Sequence, residues 1–439
     1  MSDRNSSRQT ARDAVVALNR NRDFLKLWAG ETVSDFGSYI GSVSISFAAV
    51  IALRATPFQM GLLAASRNVP ALLFSLLAGV WVDRLRRRPL MIGADLGRFI
   101  LLGTVPLAAL FGVLSMPQLY AVILAASLLD LIFGVAYRSY LPSLVEREQL
   151  VAANSRLTAS SAVAEVGGFG FAGWIVQWLT APFAIGLDAV SFLASALAIG
   201  FIRKPEPAPE PRDAKSRVLS EIAEGARFVL GERRLRALAL VSIIGGLGNS
   251  MFGTMYMLFV VNALGFKPGA LGMLFAAGGL SSLGGAIAAR RTSQALGAGR
   301  AMSLGLGVEA VASTLLVLAR GAGAWSVAVI LEQQIIGDMS GTVYAISATS
   351  LVQAITPQPM LGRVNASLRF VGVSSALAGQ LFAGVLGGVI GLRATMVLGG
   401  IAMAAGALLL ALSAAGRIER LDEPPQPAAD ATSAMGARG

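Results

Sequence analysis

Residues 79–91 read GVWVDRLRRRPLM, and they join two apolar stretches that are each long enough to cross a membrane. The predicted helix 58–82 runs into this loop and the predicted helix 89–113 leaves it. An α-helix needs about 20 mostly apolar residues to span a bilayer, and loops rich in Arg and Lys stay in the cytoplasm. The stretch therefore predicts a membrane hairpin with a cytoplasmic connecting loop.

The composition extends this reading to the whole chain. Of 439 residues, 55% are hydrophobic and 14% are charged, whereas soluble domains contain about 25% charged residues. The apolar residues suffice for roughly a dozen spans. These proportions exclude a soluble enzyme and a disordered chain.

Apolar stretches recur along the chain and predict an all-α membrane protein with twelve transmembrane helices. The first six spans are 27–52, 58–82, 89–113, 117–140, 158–180 and 183–203, and the second six are 236–262, 268–289, 300–319, 325–348, 366–390 and 394–415.

The distribution of positive charge predicts the orientation. Thirty of the 36 Lys and Arg residues lie in segments on the side of the N-terminus, and four lie in loops on the other side. By the positive-inside rule both termini are cytoplasmic. The net charge of +11 is thereby accounted for by membrane orientation, and we expect no binding to nucleic acid.

The residue types that several functions require are absent from the sequence. The chain contains no cysteine and no histidine, so we expect no metal site, no cofactor and no enzymatic activity. Lysine occurs four times and never after a glycine, which excludes the phosphate-binding loop of ATPases. We expect the proton gradient to be the energy source.

The chain divides into five predicted segments. They are a cytoplasmic tail 1–26, a six-helix bundle 27–203, a cytoplasmic loop 204–235, a second six-helix bundle 236–415 and a disordered, Pro/Ala-rich tail 416–439. Within the loop, Ile222, Ala226 and Val229 share one side of a predicted amphipathic helix that lies along the inner membrane surface.

The two bundles are internal repeats. A shift of 211 residues aligns Pro57 with Pro268 and Asn154 with Asn365. The same shift aligns Gly61 with Gly272, Leu150 with Leu361, and Gly168, Phe171, Ala172 and Gly173 with Gly379, Phe382, Ala383 and Gly384. Corresponding helices have the same orientation, so the repeats are parallel. The small residues of 167–174 predict close helix contact between the halves.

The loop 79–91 resembles the signature loop of a known family of transporters. Five residues match the pattern G-x-x-x-D-R-x-G-R-[RK] of the major facilitator superfamily: Gly79, Asp83, Arg84, Arg87 and Arg88. Arg86 replaces the second glycine. Together with Asp95 and Arg98 in span 3, the stretch resembles the macrolide-efflux and enterobactin-exporter branch. Further similar stretches are 138–155, 187–199 and 222–238. The resemblance implies two pseudo-symmetric six-helix bundles that enclose a cavity.

The loop is predicted to act as a conformational switch. Asp83 can bind Arg84, Arg87 or a helix N-terminus in the other half, and such contacts form only when the halves close on the cytoplasmic side. We expect Asp95 to pair with Arg98 or with this loop. Simple anchoring by positive charge remains the alternative for the arginines.

Nine acids lie within the predicted spans: Glu31, Asp35, Asp95, Asp130, Glu165, Asp188, Glu309, Glu332 and Asp338. Only two arginines, Arg67 and Arg98, lie there with them, so at least seven acids lack an arginine partner. A carboxyl group without a cation in an apolar medium is more stable neutral, and it can carry a proton.

In the resembled fold, spans 1, 4, 7 and 10 line the cavity. We therefore predict proton and cation handling by Asp35 and Glu332, supported by Glu31, Asp130 and Asp338. Hydrogen bonding between helices is the alternative role.

These observations predict a proton-coupled antiporter for efflux of small amphiphilic compounds or drugs by alternating access. We expect a multidrug-resistance transporter that is a monomer in the bacterial inner (cell) membrane, with a cationic or neutral substrate. A dedicated exporter of a siderophore or another secondary metabolite is one alternative. A lipid flippase, a membrane sensor or an uptake transporter is another.

Overall fold

The structure is a computed structural model that describes residues 17–82, 84–206 and 218–418. All regular elements in these ranges are helices. The twelve long ones are α1 Arg22–Ala52, α2 Pro57–Val82, α3 Arg87–Leu110, α4 Met116–Leu144, α5 Leu150–Leu179, α6 Ala181–Gly200, α7 Arg233–Ala263, α8 Pro268–Leu296, α9 Ala298–Leu318, α10 Ala324–Ile355, α11 Leu361–Val389 and α12 Leu392–Leu412.

All twelve long helices are long enough to cross a membrane. In the described residues, eleven helices are long and apolar enough to cross a membrane. The twelfth, α2, has 26 residues and is about 39 Å long at the usual rise per residue. The predicted all-α membrane fold with twelve spans is confirmed.

Local sequence signals set several helix ends. The side chain of Asn21 caps α1 by accepting hydrogen bonds from the backbone N–H groups of Asp23 and Phe24. Proline opens α2 at Pro57 and α8 at Pro268, where a missing N–H costs nothing. The helix starts are therefore specified by short-range chemistry.

Some helices extend beyond their predicted bounds. The helix α5 begins at Leu150 rather than 158, and α10 ends at Ile355 rather than 348. Hydropathy marks the residues that lie in lipid, whereas a helix continues into water while its backbone hydrogen bonds are satisfied. A short 3₁₀ turn, Arg147–Gln149, with a capping box at Glu146 leads into α5.

The internal repeat is visible in irregular features of the backbone. The helix α1 ends in a π-helical turn, Ala48–Ala52, and α7 ends in another, Phe259–Ala263. The 3₁₀ turns Arg147–Gln149 and Gln358–Met360 precede α5 and α11. Both pairs are 211 residues apart, so the pseudo-symmetry of the two six-helix bundles is confirmed.

The two bundles contact each other through glycines. A Cβ atom on Gly61 of α2 would lie 2.6 Å from the carbonyl oxygen of Gln380 in α11, and one on Gly272 of α8 would lie 2.8 Å from that of Gly170 in α5. Gly384 and Gly173 lie opposite in these same contacts. Only residues without a side chain allow such close backbone approach, which confirms the contact predicted for 167–174.

These contacts lie at one end of the molecule. They involve the first turns of α2 and α8 and the last turns of α5 and α11, which is the end opposite to the one that carries residues 17 and 418. We call this end the opposite face and the other the terminal face. Toward the terminal face a cavity of about 220 Å³ separates α2 from α11, lined by Leu72 and Arg369 among others.

A linker helix, Val218–Gly231, follows the first bundle. It packs against α11 and α7, with Gly225 against the backbone of Arg363 and Val229 buried. Glu224 forms an ion pair of 2.6 Å with Arg363. The predicted amphipathic helix is present, and its described part is attached to the second bundle. The predicted tails 1–26 and 416–439 lie largely outside the described residues.

Candidate transport site

A cavity of about 380 Å³ lies between the two bundles, and we call it the central cavity. Its walls come from α1, α2, α4, α7 and α11. The polar side chains that line it include Arg67 and Asn68 of α2, Asn249 of α7 and Gln380 of α11. Arg67 is the single charged residue among the described residues that line it.

A second cavity, of about 230 Å³, lies within the first bundle and is called the side cavity here. It shares Ile45, Arg67 and Ile123 with the central cavity, so the two are adjacent. Four charged residues line the side cavity: Arg67, Arg98, Asp130 and Asp188. Four charged residues from α2, α3, α4 and α6 therefore meet at one place.

Arg98 of α3 organises the side cavity. It donates hydrogen bonds to Asp95, one turn earlier, and to Asp130 of α4 at 3.0 Å. Its guanidinium also lies over the rings of Phe133 and Phe192, 4.6 and 4.0 Å from their centroids. Stacking and two ion pairs together fix this cation within the bundle.

The two acids that bind Arg98 have different surroundings. The side chain of Asp95 is 0% exposed, and one of its oxygens has no hydrogen-bond partner among the described residues. The side chain of Asp130 is 71% exposed. Asp95 is therefore a permanent internal partner of Arg98, while Asp130 is open to the cavity.

Asp188 of α6 is a third acid at the side cavity. It is buried, and its carboxylate lies between Gly37 and Gly41 of α1. A Cβ atom on Gly41 would collide with this carboxylate, and one on Gly37 would collide with Ser191 and lie 3.1 Å from a carboxylate oxygen of Asp188, which explains the two glycines one turn apart. Arg98 and Arg67 are its nearest cationic neighbours.

The predicted pair on α1 extends the same cluster. Glu31 and Asp35 lie one helical turn apart. One oxygen of Glu31 is buried without a hydrogen-bond partner among the described residues, and its charged neighbours include Asp95 and Asp130. The structure thus brings together the predicted residues of spans 1, 3 and 4.

The predicted acids of span 10 flank an irregular turn. The backbone of α10 forms a π-helical turn at Gln333–Gly337, between Glu332 and Asp338. Such turns alter the direction of neighbouring side chains. Asp338 accepts a hydrogen bond of 3.2 Å from the Gln333 amide, while one oxygen of Glu332 is buried and lacks a partner in the described residues.

The two acids lie at different levels of α10. Because α10 runs from Ala324 to Ile355, Glu332 lies in its first third and Asp338 near its midpoint.

The pseudo-symmetry exposes a contrast between the halves. Glu309 of α9 follows Arg98 by 211 residues, and Gly341 of α10 follows Asp130 by the same number. A Cβ atom on Gly341 would lie 2.8 Å from a carboxylate oxygen of Glu309. The second half therefore has a carboxylate and a glycine where the first half has an arginine and an aspartate.

Comparison with known proteins settles the family. The profile of the family described as transmembrane secretion effector matches residues 14–433. The chain belongs to this family. The chain is 27% identical to the multidrug efflux pump Tap of Mycolicibacterium fortuitum over 365 residues, 79% of this chain and 85% of Tap.

Other proteins similar to this chain are also transporters. It is 24% identical to the MFS-type transporter YkuC of Bacillus subtilis (strain 168) over 245 residues, which is 54% of this chain and only 56% of YkuC. Among solved structures, a mutant form of the nucleoside transporter NupG has a TM-score of 0.70 at 12% identity, and the match covers 89% of this chain and 98% of NupG. A bacterial homologue of the iron transporter ferroportin, in the inward-facing state, has a TM-score of 0.69 at 17% identity, with the same coverage.

These findings confirm the resemblance predicted from the loop 79–91. The protein is a multi-pass membrane transporter of the major facilitator superfamily, and its family and structural neighbours are transporters rather than enzymes. At these identities the solved structures establish the fold alone.

The signature loop of this transporter has mainly internal contacts. Glu206 accepts hydrogen bonds from the backbone N–H groups of Arg87 and Arg88, at 2.5 and 3.1 Å. The guanidinium of Arg88 donates to the carbonyl oxygens of Ile199 and Gly200 at the end of α6. These contacts of Arg87 and Arg88 thus lie within the first bundle or the segment that leaves it.

The other residues predicted for the signature loop are Arg84, Gly79 and Asp83. Arg84 is exposed, and Gly79 lies near the end of α2. Asp83 lies outside the described residues, so the predicted contact between Asp83 and the other half stays a prediction.

Sequence reasoning did not select several site residues of the transporter. Arg67 and Asp188 were counted among the ionisable residues of the spans but given no role. The amides of Asn249 and Gln380 were not considered. Their position within predicted spans could have indicated a role, because polar side chains are costly in lipid. Only the packing of α2, α7 and α11 shows that Arg67, Asn249 and Gln380 share a cavity.

Proposed function

We propose that this transporter is a proton-coupled exporter of small amphiphilic compounds that works by alternating access. Kinship with a protein named a multidrug efflux pump supports export. The proton gradient supplies the energy without a cofactor. The protein acts as a monomer in the bacterial inner membrane with both termini in the cytoplasm.

The observation that carries the proposal is the shared arginine in the side cavity. Arg98 is bound on one side by Asp95, which is shielded, and on the other by Asp130, which is open to the cavity. A proton that binds Asp130 neutralises it and weakens its bond to Arg98, while Asp95 continues to balance the cation. We therefore assign Asp130 as the acid that exchanges its proton and Asp95 as the acid that stays charged.

In the proposed cycle, protons enter from the side facing away from the cytoplasm and bind Asp130, with Glu31 and Asp35 as neighbouring carriers. Loss of the ion pair between α3 and α4 changes the packing of the first bundle and favours the inward-open arrangement. Proton release to the cytoplasm and substrate uptake follow there. Glu332 and Asp338 serve the second bundle in the same way.

The contacts between glycines support alternating access. The bundles meet closely on the opposite face, at Gly61 and Gly173, while a cavity separates α2 from α11 toward the terminal face. A rocking motion of one bundle against the other exchanges these two conditions.

The test uses inverted membrane vesicles that contain a pH-sensitive dye and carry an imposed proton gradient, with a panel of macrolides, dyes and siderophores. We expect a substrate to release protons in wild type and not in Asp130→Asn. Glu148→Gln, at an exposed acid outside the site, is the matched control and keeps the response.

Two results would contradict the proposal. The first is proton release of wild-type size in Asp130→Asn. The second is unchanged export and unchanged pH dependence in both Asp35→Asn and Glu332→Gln.

A further inference from the structure

Arg67 has an unusual position in the transporter. It lies in the first half of α2 and borders both the central and the side cavity. Its side chain is exposed to this space, and none of the hydrogen bonds and ion pairs within the described residues involves it. An arginine has five N–H donors, and the described residues provide no hydrogen-bond acceptor for those of Arg67.

The nearby acids do not supply that acceptor. The charges closest to Arg67 are Asp188 and Asp130. Asp130 is bound to Arg98 at 3.0 Å, and Asp188 is held against α1 by Gly37 and Gly41. These acids balance the charge of Arg67 at longer range, but they leave its guanidinium free to bind a ligand.

The polar groups around Arg67 also favour a ligand that accepts hydrogen bonds. Asn68 lies next to it on α2, and Asn249 and Gln380 line the central cavity from the second bundle. The side-chain NH2 groups of these three residues are hydrogen-bond donors. No Asp or Glu lines the central cavity among the described residues. The guanidinium fork matches a carboxylate with two parallel hydrogen bonds.

The rest of the central cavity is apolar. Ile45, Met60, Leu63, Ile123 and Met257 line it. The methionines can adapt to ligands of varied shape. With a volume of about 380 Å³, the cavity has the size of a small-molecule site.

We infer that the central cavity binds amphiphilic carboxylates, with Arg67 holding the carboxylate group and the apolar wall holding the body of the ligand. Because Arg67 belongs to the first bundle and Asn249 and Gln380 to the second, a bound carboxylate links the two halves. The inference rests on the proposed function, since it names the class of compound that is exported.

The inferred charge differs from the cationic or neutral substrate expected from the sequence. That expectation came from the excess of acids in the spans and assumed that they line the substrate site. The structure places three acids, Asp95, Asp130 and Asp188, at or behind the side cavity. The residue at the boundary with the central cavity is a cation.

Binding can be measured by calorimetry on the full chain in lipid nanodiscs, with empty nanodiscs subtracted. The probes are three naphthalenes of matched shape: 2-naphthoate, 2-naphthylmethanol and 2-naphthylmethylammonium. We expect 2-naphthoate to bind wild type about tenfold or more tightly than the other two, as expected for a charge-assisted pair of hydrogen bonds.

Variants assign the effect to one side chain. In Arg67→Gln the affinity for 2-naphthoate should fall to that for the alcohol, and in Arg67→Lys it should be intermediate because an ammonium lacks the planar fork. Arg320→Gln removes an exposed charge near the end of α9 and should change nothing. Thermal unfolding of each variant verifies that it is folded.

Three results would overturn the inference. They are tighter binding of the ammonium than of the carboxylate, unchanged naphthoate affinity in a folded Arg67→Gln, and no naphthoate binding by wild type.

Transport of 2-naphthoate in proteoliposomes with an imposed pH gradient separates the inference from the proposed function. Binding that depends on Arg67 without proton-coupled transport keeps the site and refutes the exporter. Proton-coupled transport that is unaffected in Arg67→Gln keeps the exporter and refutes the site.

Discussion

The contact between Gly173 and α8 gives a quantitative prediction about the conformational equilibrium. A Cβ atom on Gly173 would collide with the carbonyl oxygen of Pro268 and lie 2.7 and 2.8 Å from the backbone N and Cα of Gly272. These are backbone atoms, which cannot turn away as a side chain can. Gly173→Ala should therefore force the bundles apart on the opposite face.

The magnitude follows from the cost of overpacking, about 1–3 kcal/mol for an added methyl group in a tight contact. At about 1.4 kcal/mol per factor of ten, the ratio of closed to open opposite faces falls by roughly 5- to 150-fold. Alanine also improves the helix itself by up to about 1 kcal/mol, but it does so in both states, so that gain cancels.

Two variants on α11 provide a scale. At Gly384, the pseudo-symmetric position, the nearest atoms to an added Cβ lie at 3.2–3.3 Å, and at Gly388 none lies within 4 Å. We expect a smaller shift for Gly384→Ala and none for Gly388→Ala. The order of the three variants thus follows from the geometry alone.

The assay is a distance measurement between spin labels, which is direct because the chain has no native cysteine. Cysteines at the exposed positions Val113 and Ile390 report on the opposite face, and those at Val151 and Arg291 report on the terminal face. Gly173→Ala should lengthen the first distance and shorten the second. Equal distributions for Gly173→Ala and Gly388→Ala would refute the reasoning.

Three further predictions concern the stability of the fold and can be checked by thermal unfolding. Asp95→Asn should lower the free energy of unfolding by about 3–5 kcal/mol because it leaves Arg98 without its shielded partner. Asp130→Asn should lower it by at most about 1 kcal/mol because the side chain of Asp130 is 71% exposed. Equal losses in the two variants would contradict the division of roles. Replacing Glu309 by Arg should destabilise the second bundle, and adding Gly341→Asp should recover about 0.5–3 kcal/mol by recreating the ion pair of the first bundle; strictly additive effects would contradict it. Glu206→Ala should cost about 0.5–2 kcal/mol through loss of the α3 cap, and a change within error would mean that water replaces it.

The sequence was sufficient for the architecture. Hydropathy located the twelve spans, and the shift of 211 residues that aligns Pro57 with Pro268 also relates the π-helical turns at Ala48–Ala52 and Phe259–Ala263. Both signals are local or periodic along the chain, so neither requires knowledge of packing. The ends on the terminal face were less accurate because polar residues continue helices such as α10 beyond the lipid.

The candidate site was predicted only in part. Glu31, Asp35, Asp95, Arg98 and Asp130 could be selected because acids and arginines are rare and costly within spans. The sequence did not indicate which acid pairs with which cation. Arg98 binds both Asp95 and Asp130 because α3 and α4 pack side by side, and that distance in space does not follow from their separation of 32 residues along the chain.

By itself, the sequence determined the membrane environment, the number of helices, the repeat and the family, because each of these depends on composition, periodicity or a short motif. Only the tertiary structure decided that Arg67 faces the central cavity while Asp188 is enclosed between Gly37 and Gly41. Both are single ionisable residues in apolar helices, and their hydropathy is nearly equivalent. Their environments differ because neighbouring helices supply space to one and glycine backbones to the other, and that difference arises only when the bundle is packed.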